Sequence, residues 1–144
     1  MSNDIHKLLE EAGWYEGRRI DISYMIEDLK ARELTGPNPL INKLWEEYWN
    51  IKIEFITPTG MSGDITLNYE NALGISNRLL QQYETLLGDN LVPSGSINED
   101  SGALFVSYSG KFYLAANQNL YQIGIDFFNA LDVIINEKDV LRLI

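Results

Sequence analysis

The chain contains no cysteine, one histidine (His6) and only 11 Lys and Arg residues among 144. Without cysteine there is no disulfide framework, zinc knuckle, iron–sulfur cluster or thiol nucleophile, and a reducing compartment, the cytoplasm, is the expectation. A single histidine excludes His-based metal sites and any Ser-His-Asp triad not built on His6 itself. His6 precedes Glu10 by four residues, the spacing of a solvated helical pair. No stretch approaches the ~18 apolar residues of a membrane span, and Met1-Ser2-Asn3-Asp4 is not the basic start of a secretory leader.

Scarce basic charge meets abundant acid: 21 Asp and Glu set a net charge of −10. Nucleic acid as a partner requires clustered Lys and Arg, so the balance points to a basic protein surface instead. The signs are segregated, because residues 79–137 hold seven acids (Glu84, Asp89, Glu99, Asp100, Asp126, Asp132, Glu137) and one base, Lys111. With 45% hydrophobic residues, a chain this long forms a core without staples.

Periodicity supplies the elements. Ile5, Leu8, Leu9 and Ala12 share a helical face, with Asn3 or Ser2 as cap and Gly13 as stop. A second helix starts from an Asp21 cap and carries Ile22, Met25, Ile26 and Leu29, ending before Gly36-Pro37. Asn38-Pro39 reads as cap and first residue of a third, whose buried face is Leu40, Ile41, Leu44, Trp45 and Tyr48, with Trp49 at its margin. From Ile51 the period falls to two, and Ile51, Ile53 and Phe55 turn at Pro58-Thr59-Gly60 into a return strand over Asp64–Tyr69. The longest helix is expected over Asn71–Leu87, with Ala72, Ile75, Leu79, Tyr83 and Leu86 in register and Gly88 closing it. A meander follows over Leu91–Ile97, Ala103–Ser109, Phe112–Ala115 and Leu120–Ile123. Ala103-Leu104-Phe105-Val106 is apolar on both parities, as a strand covered on both faces requires. Gly124 introduces a closing helix with Ile125, Phe127, Phe128, Leu131, Ile134 and Ile135 on one side. The expected fold is a single α+β domain over 1–144, a largely antiparallel sheet covered by amphipathic helices, with some mixed pairing left open.

Catalytic patterns are scarce. Glu10-Glu11 and Glu46-Glu47 are sequence neighbours, about 100° apart on the polar faces of helices, and do not form a paired-carboxylate centre. Gly60-Met61-Ser62-Gly63 falls in a hairpin loop, not between a strand and a helix, so it is no phosphate cradle. Glu99-Asp100 lies in a polar loop between two strands but lacks the spacing of a calcium loop, and partner contact is its better use. Trp49, beside Glu46 and Glu47, is a candidate interface anchor. No cofactor or metal is expected.

Several residues in order resemble a known family. Gly13-Trp14, Gly17-Arg18 with an apolar residue soon after, Pro93-x-Gly95, Leu104-x-Val106 running into Gly110-Lys111-Phe112-Tyr113, and Gly124 before an apolar terminal helix are similar to the third subgroup of the SUKH immunity-protein superfamily. The chain departs at Tyr48-Trp49-Asn50, where such proteins often place a glycine pair. The resemblance implies a cytoplasmic antitoxin without catalysis, encoded beside a polymorphic toxin, that binds and blocks the toxin domain. Such domains are often nucleases carried at the C-terminus of LXG-type secreted proteins. It also implies scaffold roles for Gly17 and Arg18 after helix one, Pro93 and Gly95 at a strand start, and Gly110 and Tyr113 at a hairpin. Joined to the charge pattern, this sets an expected toxin-binding face of Glu84, Asp89, Glu99, Asp100, Asp126 and Trp49. A small carboxylate hydrolase and a scaffold or ligand-binding module are the rival readings, and monomer and homodimer both remain open.

Overall fold

A computed structural model describes residues 3–68, 76–99 and 101–144. Among the described residues five helices and seven strands follow in chain order: α1 Ile5–Glu11, α2 Ser23–Ala31, α3 Pro39–Tyr48, β1 Lys52–Ile56, β2 Ser62–Thr66, α4 Asn77–Leu87, β3 Leu91–Ile97, β4 Gly102–Ser107, β5 Phe112–Ala116, β6 Asn119–Gly124, α5 Phe127–Ile135 and β7 Leu141–Arg142. The strands form one sheet in sequential order, and every pair is antiparallel, so the mixed pairing left open is not used.

Four of the five described helices have starts fixed by a capping side-chain oxygen that accepts an otherwise orphaned backbone N–H. Asp4, not Asn3, caps α1 by accepting from Lys7 N at 3.2 Å; Ser2 lies outside the described residues. Asn3 instead donates to Ile56 O and Asn136 Oδ1, tying the chain start to β1 and the end of α5. Asp21 accepts from Ser23 N and Oγ, but the N-cap of α2 is Ile22, which makes no side-chain cap bond, so Asp21 stands one residue before the capping position expected of it. Asn38 caps α3 as expected, with Pro39 in the first turn. Ser76 caps α4, and the expected residues 71–75 of that helix lie outside the described ones, as does Tyr69 of the return strand.

Two clusters cover the two faces of the sheet. Leu9, Met25, Leu29, Ile41, Trp45, Leu131 and Ile135 from α1, α2, α3 and α5 pack on Ile53, Ile65, Val92, Leu104 and Val106. On the opposite face Leu80 and Tyr83 of α4 pack on Leu91, Phe105, Tyr113 and Leu120. Consequently β4 is buried at all six positions, as its double-parity apolar pattern required.

Four apolar residues expected inside lie outside. Leu40 (55% exposed) sits in the first turn of α3 and is turned about 100° from buried Ile41; Leu86 (53%) sits one position off the Leu80–Tyr83 face; Ile125 (68%) precedes α5; and Phe128 (45%) is turned about 100° from buried Phe127. β7 was not anticipated, because two residues carry no readable period; Leu143 N to Leu120 O and Leu120 N to Ile144 O continue its pairing.

Hairpin turns show where the chain tolerates strain. Asn117 and Gln118 (φ 51° and 66°) form a two-residue connection between β5 and β6 with both residues left-handed, a geometry that prefers Asn-Gly. Gln118→Gly is therefore expected to stabilise the protein by about 1 kcal/mol, read as a higher midpoint in urea. An unchanged midpoint would mean that the turn is not strained.

Candidate functional site

The expected site residues fall into different places. Glu84 Oε2 accepts from Thr35 Oγ1 (3.0 Å) and Leu91 N (2.9 Å), fastening α4 to the start of β3. Asp89 accepts from Ser109 Oγ (2.6 Å), Ser109 N and Asn90 N, joining the α4–β3 turn to the β4–β5 turn. Burial alone would raise the Asp89 carboxyl, but these hydrogen bonds outweigh it and hold the group below its ordinary range. Asp126 accepts from Asn129 N at 2.8 Å and caps α5. Glu99 is exposed in the β3–β4 turn, beyond the far end of β3, so about 20 Å of strand separates it from Asp89. Asp100 lies outside the described residues.

Trp49 requires a correction. Expected at the margin of α3 as an interface anchor, it is only 1% exposed and packs against Trp45 with ring centroids 4.6 Å apart and planes tilted by 43°. The helix ends at Tyr48, and the extended conformation of Trp49 (φ −62°, ψ 145°) takes it off the helical wheel and into the core. Asn50 then adopts φ 62°, supplying from an asparagine the left-handed step that a glycine would otherwise provide.

The family-motif positions have identifiable structural work. Arg18 donates from Nη1 to Glu47 O (2.5 Å) and from Nη2 to Trp49 O (2.6 Å), capping the carbonyl end of α3. Gly17 has φ 83° in the turn that presents it. Pro93 and Gly95 flank the irregularity in β3 pairing, where a proline without an N–H is tolerated. Gly110 (φ 91°) turns β4 into β5, and Tyr113 is buried under α4.

What brings carboxylates together is the β1–β2 hairpin. Glu54 stands directly opposite Asp64, and Glu99 N donates to Asp64 Oδ1 at 3.2 Å, while Asn98 and Asp64 exchange two further bonds. Glu54, Asp64 and Glu99 line an open pocket of about 760 Å³ to which no Lys or Arg contributes. Like charges directly opposite on a sheet are destabilising. Sequence reasoning missed Glu54, although a turn centred on Thr59 already pairs residues whose numbers sum to 118.

Among the described residues no group of three His, Asp or Glu is placed to hold a metal ion. A carboxylate general acid needs its proton affinity raised, whereas the shifted carboxyls move the other way. Ser23 lowers Asp21, Lys138 and Asn136 lower Asp132, and Thr59 lowers Glu137, all through hydrogen bonds. No described helix is long and apolar enough to cross a membrane.

The fold is thus an α+β domain in which the β1–β2 hairpin and the β3–β4 turn bring Glu54, Asp64 and Glu99 together. A family model for SUKH-3 immunity proteins matches residues 1–137, and the chain belongs to the SUKH-3 immunity protein family, which implies a cognate toxin as its partner. No curated protein and no solved structure matches it significantly.

Proposed function

We propose that this chain protects the cytoplasm by binding the toxin domain encoded beside it, seating the acidic end around Glu54, Asp64 and Glu99 on a basic surface of that domain. A nuclease must be basic where it grips phosphates, so a surface of this kind competes with the nucleic acid for the same residues. The observation that carries the reading is Glu54 opposite Asp64 with Glu99 alongside and no cation in the pocket, an arrangement that costs stability without a partner. Asp126, Glu84 and Asp89 add to the field that draws a basic partner in, while their near contacts serve the fold.

The test is the association rate with the purified, catalytically inactive toxin domain at low and high salt. The wild-type rate is expected to fall as salt rises, and Glu54→Lys with Glu99→Lys to lower the low-salt rate about tenfold or more. Because Glu54→Lys turns a like-charged pair into an opposite-charged one, it is expected to raise stability by about 0.5–1 kcal/mol. Weaker binding in a more stable variant would assign Glu54 to the interface; a salt-independent rate would overturn the steering.

A further inference from the structure

Away from the hairpin, α3, α5 and the loop before α2 assemble an aromatic surface, and His6 of α1 packs against its Trp14 with ring centroids 4.9 Å apart. Trp14 lies over Tyr48 with ring centroids 6.3 Å apart and planes 18° apart, and Phe128 meets Tyr48 edge-on at 6.4 Å and 86°. Tyr48 is the buried floor, Trp14 is half-buried, and Phe128 is one of the most exposed aromatic rings of the protein.

Beside these rings is a half-buried carboxylate, Glu47, which accepts from Trp14 Nε1 at 3.1 Å. Burial raises the Tyr48 phenol, and the charge of Glu47 and a side-chain hydrogen bond to it raise it further. Glu47 has no ion pair within 4 Å among the described residues. Glu46 pairs with Arg19 and Asp132 with Lys138, whereas Glu47, like Asp64, Glu84 and Asp89, is held by neutral donors, and of these four only Glu47 accepts from an aromatic ring N–H. Arg18, next to Glu47, is engaged with the backbone carbonyls of Glu47 and Trp49.

A negative charge held by neutral donors beside a half-buried ring and an exposed one attracts a cation on two counts, by Coulomb attraction and by the ring quadrupole. A guanidinium fits both, since its plane stacks on a ring while its fork reaches a carboxylate, and an ammonium does so less well. We propose that Trp14, Phe128 and Glu47 form an anchor for an arginine side chain of the toxin domain, a second contact beyond the acidic hairpin end. The proposal rests on the toxin-binding reading and places a localised anchor within it, in keeping with the pairing of aromatic and arginine residues at interface centres.

The experiment is calorimetric titration of the inactive toxin domain with wild type, Phe128→Ser and Glu47→Gln, with thermal melts of each. Glu47→Gln keeps an acceptor for Trp14 Nε1 and removes only the charge, so a purely structural role leaves binding untouched. Each variant is expected to bind about tenfold more weakly or worse while melting cooperatively. One arginine of the toxin, changed to Lys, should lose affinity in wild type and lose little more in Glu47→Gln, the coupling of a contacting pair. Tight, salt-dependent wild-type binding with both variants unchanged overturns the anchor and leaves the toxin-binding reading standing. No binding by wild type overturns both.

Discussion

Gly124→Ala is expected to destabilise the protein by about 3 kcal/mol or more, at the upper end of what overpacking costs. A Cβ at Gly124 would lie 2.6 Å from Ala130 N, 2.7 Å from its Cα and 2.9 Å from its Cβ, so β6 and α5 approach at a distance that only a hydrogen on Gly124 permits. Backbone lies on both sides, and no rotamer change relieves the overlap. Gly95→Ala should be comparable, because its Cβ would lie 2.4 Å from Thr66 O, the carbonyl of the neighbouring strand. Stability of a domain this size is about 5–15 kcal/mol, so either change removes a large share and lowers the melting midpoint by roughly 10 °C. Gly36→Ala is the control, with nothing within 4 Å of its Cβ and no left-handed backbone; it should melt like wild type or slightly higher. If Gly124→Ala melts with the control, the helix is not held against the strand as closely as these distances require.

These glycines also show which parts of the molecule sequence could disclose. The resemblance picked out Gly95 and Gly124 by order along the chain, and only the packed structure gives their reason, a neighbouring carbonyl and a helix backbone. Local signals were readable where one residue type does one job: Asn38-Pro39 at the start of α3, Gly88 at the end of α4, and double-parity apolar residues in β4. Errors arose where the outcome depends on a neighbour elsewhere in the chain. Trp49 leaves the helical wheel because the backbone straightens after Tyr48, and Phe128 stays exposed because Phe127 takes the place under α3. The acids divide in the same way. Charge segregation marked a run of carboxylates without saying that Glu84 and Asp89 would be engaged by Thr35 and Ser109 from other parts of the chain. The like-charged pair came instead from Glu54, outside that run, and pairing arithmetic across the Thr59 turn was the signal that could have found it.

Arg18→Ala is expected to cost about 3 kcal/mol, from two charge-assisted hydrogen bonds that each contribute ~1.5–3 kcal/mol, reduced by the partial exposure of the side chain. The position gives the bonds added weight. Glu47 O and Trp49 O are carbonyls at the end of α3, where the helix dipole is negative and a fixed cation is favoured. Lysine has no fork with which to reach both oxygens, so Arg18→Lys should recover less than half of the loss. Urea unfolding reads this as a lower midpoint with unchanged slope, and equal midpoints for Arg18→Lys and wild type would show that one contact suffices. The effect extends to function, because the same guanidinium holds the backbone of Glu47 in place while the Glu47 carboxylate accepts from Trp14. If that positioning matters, Arg18→Lys should weaken toxin binding in a protein that is still folded at the assay temperature. Gln118→Gly added to Arg18→Lys should restore stability without restoring affinity, because the β5–β6 turn is remote from the end of α3.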